Sequence, residues 1–214
     1  MEKSIQIQIK AKYHTWGNLS EETSQIWFVL HGYGQLAEFF IKKFEFLDPQ
    51  KNYIVAPQGL NKFYLKEFSG RVGANWMTKE DRLNEIANYI HYLDSVYEQE
   101  LQNFENQTDN KKIKINLLAF SQGCATASRW LVYGKHKFER FVAWAGEIPQ
   151  DVIEKPIFKA IPIQMIFGKQ DELIKPEFVN PVLERISQQQ ISPEIIYFEG
   201  KHEIDETVLK AIIC

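Results

Sequence analysis

The segment from Ile113 to Trp130 reads IKINLLAFSQGCATASRW, and it sets the arrangement expected for the rest of the chain. Ile113, Ile115, Leu117, Leu118 and Phe120 make a short apolar run that suits a strand buried on both faces of a parallel sheet. After Ser121 the residues change character. Gly123, Cys124, Ala125, Ala127 and Ser128 are small, so a helix starting there can lie close against the sheet, while Trp130, Leu131 and Tyr133 add bulk further on. A strand that runs straight into a helix through A-F-S-Q-G holds its serine on a tight turn beyond the strand end. Small residues two before and two after the serine let the backbones pass. Glycine is usual at both flanks; Ala119 adds one methyl at the first. Such a pentapeptide also occurs in ordinary turns, so its meaning depends on a base, an orienting acid and oxyanion donors elsewhere in the chain.

The composition narrows what this serine can serve. With 214 residues the chain is sized for one domain, 1–214, with a sizeable core. Hydrophobic residues at 44% and aromatics at 14% exclude a disordered or low-complexity chain. A formal charge of -3 without a basic block removes the electrostatic reason for a nucleic-acid partner and favours small molecules or exposed acyl groups. The first ten residues, MEKSIQIQIK, alternate apolar and polar, so neither a signal peptide nor a membrane span is expected, and the default location is cytoplasmic. The two cysteines, Cys124 and Cys214, form no C-x-x-C and no metal-ligand spacing; Cys124 reads as a small core residue.

Along the chain, strand and helix patterns alternate. Ile5, Ile7 and Ile9 alternate with Gln6, Gln8 and Lys10, which predicts an edge strand reaching about Tyr13. Residues 26 to 30, IWFVL, are apolar throughout and predict a buried central strand ending in His31-Gly32-Tyr33-Gly34. A helix follows from about Leu36 to Leu47, and Tyr53 to Ala56 makes a third strand. From Pro57 to Met77 periodicity is lost while Phe63, Tyr64, Phe68 and Trp76 accumulate, which predicts a long functional loop. Thr78 and Asp81 resemble a capping box for a long helix ending by Asn106. Further strands are expected at Phe138 to Trp144, Ile163 to Phe167 and Glu194 to Phe198, with helices around Glu177 to Gln189 and from about Glu203. His91 reads as a surface or packing residue. This alternation implies an open, mostly parallel sheet covered on both faces, in which ligands bind beyond the carboxyl ends of the strands.

Ser121, Asp171 and His202 each stand just past the end of a predicted strand. A serine hydroxyl needs an adjacent base to become a nucleophile, and a histidine base needs an acid to fix its tautomer. Glu172, Glu147 and Asp151 compete for the acid role, but Asp171 alone follows a strongly apolar strand after a glycine. His202 is the one histidine after Asp171, which the chain order Ser, Asp, His requires. Gln122, at the helix start, and Tyr33, in the glycine-rich turn, can offer backbone N–H groups to a developing oxyanion.

At these residues the chain resembles the phospholipase/carboxylesterase and acyl-protein thioesterase branch of the α/β-hydrolases over most of its length. The resemblance rests on F-V-L-H-G-Y-G-Q, A-P-Q-G, A-N-W-M, A-F-S-Q-G, A-W-A-G-E-I-P, G-K-Q-D-E and G-K-H-E-I, in that order. It implies an α/β-hydrolase fold of about seven strands and a cofactor-free, metal-free serine esterase or thioesterase, with catalytic Ser121, Asp171 and His202 and oxyanion donors Tyr33 and Gln122. Ala119, Ala145 and Lys201 depart from the family's usual Gly, Ser and Gly, and the 57 to 77 segment looks particular to a subgroup. Alternatives on the same fold are an inactive scaffold that binds a small molecule, a peptidase, or a dienelactone-type hydrolase; the last typically carries a cysteine where this chain has Ser121. Only Gly146 to Ile161 separates two strands where many such folds insert a cap domain, so Trp76, Phe63, Tyr64 and Phe68 are expected to line the acyl pocket instead.

Overall fold

Short runs of Val, Ile, Leu and Phe form the strands, and longer stretches with apolar residues three and four apart form the helices between them. The computed structural model describes residue 1, residues 3–105 and residues 113–213. In chain order these are β1 (Tyr13–Trp16), β2 (Gln25–Leu30), α1 (Ala37–Phe40), β3 (Asn52–Pro57), β4 (Asn61–Lys66), β5 (Ser69–Asn75), α2 (Arg82–Glu105) and β6 (Lys114–Phe120). There follow α3 (Gln122–Tyr133), β7 (Arg140–Trp144), α4 (Ile157–Ala160), β8 (Ile163–Gly168), α5 (Pro176–Gln188), β9 (Glu194–Phe198) and α6 (Glu206–Ile213).

A seven-stranded sheet runs in the order β1-β3-β2-β6-β7-β8-β9, with β1 antiparallel to β3 and every other pair parallel. The register sets Leu30 of β2 opposite Ala119 of β6, and Phe120 opposite Trp144 of β7. Three strand ends therefore meet where the serine leaves the sheet. Alternate side chains of one strand feed two different cores. Ile26, Phe28 and Leu30 join Leu93, Tyr97 and Trp130 from α2 and α3 on one face. Trp27 and Val29 join Phe40, Phe44, Leu209 and Ile212 from the α1 and α6 side on the other. Each large side chain buried this way contributes about 1.5–3 kcal/mol.

Polar contacts tie the helices that carry the elbow. Trp130 Nε1 donates to Asp94 Oδ1 at 2.8 Å, which joins α3 to α2. Arg129 meets both oxygens of Asp151 at 2.9 Å, a fork that clamps α3 to the segment after β7. Arg82 adds a third contact at 3.1 Å. Hydrogen bonding from Arg129, with the charge of both arginines, holds the Asp151 carboxyl down at about 2, below the usual carboxylate range.

Three expectations are corrected. The Ile5, Ile7, Ile9 pattern forms no strand: these residues are 87%, 75% and 60% exposed, and regular pairing begins only at Tyr13. Alternation specifies a strand only when another strand is there to receive it. The unperiodic 57 to 77 stretch is the antiparallel hairpin β4–β5, with Phe63 opposite Gly73 and Tyr64 opposite Val72. A register shift between Tyr64 and Lys66 and the two glycines of β5 break the alternation that would have revealed it. The helix expected over 36 to 47 splits into α1 and a 3-10 turn, Ile41–Phe44. The short α4 was not foreseen, and the end of the long helix expected by Asn106 lies outside the described residues.

Candidate active site

Ser121 sits between β6 and α3 with φ 53° and ψ -120°, a conformation that a side chain rarely adopts and that surrounding contacts must enforce. Its N–H donates to Trp144 O at 2.8 Å, and its carbonyl accepts from Cys124 N at 2.9 Å. The turn closes only because its neighbours are small. A Cβ on Gly123 would lie 2.6 Å from Leu30 O, and one on Gly146 would lie 2.6 Å from Ser121 O. Ala119 is fully buried, so the fold accommodates its methyl. The Cys124 thiol donates to Ala119 O at 3.2 Å, and burial pushes its pKa up, which makes it an inert core group.

The loops after β8 and β9 bring the other two residues to the serine. They pack so closely that a Cβ on Gly168 would meet Gly200 O and Lys201 O at 2.5 Å. Asp171, 5% exposed, accepts from Leu173 N and Ile174 N through Oδ1, both at 2.8 Å. Its Oδ2 lies 2.7 Å from His202 Nδ1, and His202 Nε2 lies 2.9 Å from Ser121 Oγ. The imidazole rests on the Phe120 ring with centroids 4.8 Å apart. The rival acids are occupied or turned away: Glu147 pairs with Arg185, Asp151 with Arg129 and Arg82, and Glu172 is exposed.

The turn after β2 presents one free donor. Gly32 N donates to Gln35 Oε1 at 2.8 Å and Gly34 N to Ala74 O at 2.8 Å, whereas Tyr33 N–H has no acceptor among the described residues. Gln122 N–H, at the start of α3, has none either. Beneath this turn, His31 is buried and neutral, burial pulling its pKa down to about 4. Its Nδ1–H donates to Gly32 O at 2.8 Å while Nε2 accepts from Gly59 N at 2.9 Å, which assigns the tautomer. His31 is thus a strut of the turn.

The aromatic residues divide. Trp76 is 1% exposed, packs against the His31 ring with centroids 5.0 Å apart and donates from Nε1 to His31 O at 2.8 Å. It lies under the site and not on it, because the indole N–H needs a buried acceptor and the hairpin draws residue 76 inward. The expectation that Trp76 lines an acyl pocket is corrected accordingly. Phe63 packs on the exposed Tyr33 ring at 4.9 Å, Tyr64 is half exposed, and Phe68 at the hairpin tip stands in solvent. The sequence reading missed the Gln122 side chain. Its Oε1 accepts from Trp76 N at 3.1 Å and its Nε2 donates to Met77 O at 2.9 Å, fastening the hairpin's exit to the elbow. No residue near Gln122 in the sequence signals it, because both partners lie on the hairpin's exit, far away along the chain.

Among the described residues, no group of His, Cys, Asp or Glu is arranged to hold a metal, and no helix is long and apolar enough to cross a membrane. Searched against curated proteins, the sequence finds no match. Solved structures share the fold. A Zea mays acyl-protein thioesterase 2 superposes with a TM-score of 0.67 at 16% identity, covering 95% of this chain and 96% of that one. A carboxylesterase from Mesorhizobium loti gives 0.70 at 15% identity over 94% and 93%. Esterase PE8 gives 0.63 at 20% identity over 95% and 96%. The family model described as Phospholipase/Carboxylesterase matches residues 18–214. With that match over nearly all of an α/β-hydrolase fold, the chain belongs to the phospholipase/carboxylesterase family, an esterase type of α/β-hydrolase.

Proposed function

We propose that this protein hydrolyses carboxylic esters or thioesters through an acyl-enzyme formed on Ser121. The observation that carries the reading is the unbroken hydrogen-bond series from Asp171 through His202 to Ser121 Oγ, at 2.7 and 2.9 Å. His202 Nε2 takes the hydroxyl proton as Oγ attacks the acyl carbon, and Asp171 holds the Nδ1–H tautomer and stabilises the imidazolium that results. The carbonyl oxygen becomes an oxyanion facing the free N–H groups of Tyr33 and Gln122, each such donor contributing about 3 kcal/mol to the barrier reduction. Collapse expels the alcohol or thiol, which receives the proton from His202. Water then repeats the sequence on the acyl-Ser121 and releases the acid.

Around this centre, Tyr33 and Phe63 form the apolar face nearest the oxyanion turn, with Tyr64 and Phe68 further out on the hairpin. Trp76 acts on the substrate indirectly, by holding His31 and so the turn that carries Tyr33 N–H. Turnover of nitrophenyl esters and of matching acyl thioesters by the purified chain tests the reading. Absence of hydrolysis of both classes would favour the binding scaffold instead.

A further inference from the structure

An open groove of about 580 Å³ runs between the start of α1 and strand β5, a volume typical of small-molecule sites. Gly34 and Gln35 are among the residues that line it. Gln35 Oε1 holds the N–H of Gly32, and Gly32 is so close to the nucleophile that a Cβ there would lie 3.2 Å from Ser121 Cβ. The groove therefore starts beside the oxyanion turn. Its walls are apolar: Leu36, Phe39 and Phe40 on one side and Val72 on the other. Phe39 is 57% exposed, so its ring is accessible from the groove.

Two cations converge on the groove from different elements, Lys43 from the 3-10 turn and Arg71 from β5. Neither has an acidic ion-pair partner among the described residues. Lys42 adds a third positive charge, its Nζ 5.4 Å from the Phe39 ring centre. This cluster occurs on a chain whose formal net charge is -3, so it does not follow from overall composition.

We propose that this groove selects esters carrying an anionic group, carboxylate or phosphate, at the far end of a medium-length aliphatic chain. The chain lies along Leu36, Phe39 and Val72, and the anion is held by Lys43 and Arg71. The inference rests on the esterase reading above and names the substrate class for that same site. Because both cations are exposed, each is expected to contribute a few-fold, screened by salt. Because they lie away from the reacting atoms, the contribution is expected in KM and not in kcat.

The test uses two substrate pairs that differ only by the distal charge. Mono-nitrophenyl suberate against nitrophenyl octanoate puts the anion on the acyl side; 8-acetoxyoctanoate against octyl acetate puts it on the alcohol side. In at least one pair the charged ester is expected to show about tenfold higher kcat/KM at low salt. Lys43→Gln/Arg71→Gln should remove about fivefold or more of that preference through KM, leaving the neutral ester within about twofold. The pair that responds tells which side of the ester occupies the groove. Equal preference in the parent and the double variant, in both pairs, would overturn the proposal. If neither ester of any pair is hydrolysed, the esterase reading fails, and the groove is judged by calorimetric titration of monoethyl suberate into the Ser121→Ala protein. Weaker binding by Lys43→Gln/Arg71→Gln in that background supports the anion site, and undetectable or unchanged binding refutes it.

Discussion

Ser121→Ala is expected to lower kcat for ester hydrolysis by about five orders of magnitude or more while leaving the melting temperature within about two degrees of the parent. Alanine keeps the Cβ, so the strained backbone at φ 53° meets the same contacts as before. What disappears is the hydroxyl, whose one side-chain partner among the described residues is His202 Nε2. The turn that carries Tyr33, the His31 strut and the Gln122 tie keep their contacts, so folding is expected to persist. Steady-state turnover of a nitrophenyl ester with a parallel thermal melt checks both halves. Retention of more than about a tenth of parental turnover would place the nucleophile elsewhere.

Asp171→Asn is expected to be nearly as damaging, with kcat down by about four orders of magnitude. The reason lies in how the carboxylate is held. Its Oδ1 accepts two backbone N–H groups, from Leu173 and Ile174, so an asparagine must keep its carbonyl oxygen there and turn its NH2 toward His202. An NH2 facing Nδ1 requires that nitrogen to be unprotonated, which moves the imidazole proton to Nε2. Nε2 then faces Ser121 as a donor and cannot take the hydroxyl proton. The neighbouring exposed Glu172 makes the control: Glu172→Gln should change kcat by less than about threefold. A larger effect at Glu172 than at Asp171 would reverse the assignment.

Much of this site is legible in the sequence because parallel sheets advertise themselves. β2, β6 and β8 are apolar at nearly every position, so their ends can be located, and a polar residue just beyond each end stands out. Ser121 and Asp171 stand out in that way after β6 and β8, whereas His202, after the half-exposed β9, is singled out by the chain order Ser, Asp, His; the distances between the three follow from the sheet order that sets β6, β7, β8 and β9 side by side. The hairpin was not legible, because Phe63, Tyr64 and Leu65 are consecutive and Gly70 and Gly73 interrupt the partner strand. Ile5, Ile7 and Ile9 misled for the opposite reason: their alternation is regular, yet no strand among the described residues pairs with them. Trp76 misled because aromatic content says that a side chain is buried or binding without saying which. Its hydrogen bond to His31 O is a tertiary fact with no local signature. The same holds for the Gln122 side chain, whose two partners lie some forty-five positions earlier in the chain.

The most direct measurement is covalent capture with a fluorophosphonate, which reacts with a serine only where a base activates the hydroxyl and an oxyanion hole accepts the phosphoryl oxygen. Mass spectrometry of the treated chain and its peptides is expected to show one adduct, on Ser121, that is absent from Ser121→Ala and strongly slowed in Asp171→Asn. An adduct on a different residue, or ester turnover that continues undiminished in an unlabelled chain, would contradict the assignment of Ser121, His202 and Asp171 as the catalytic machinery.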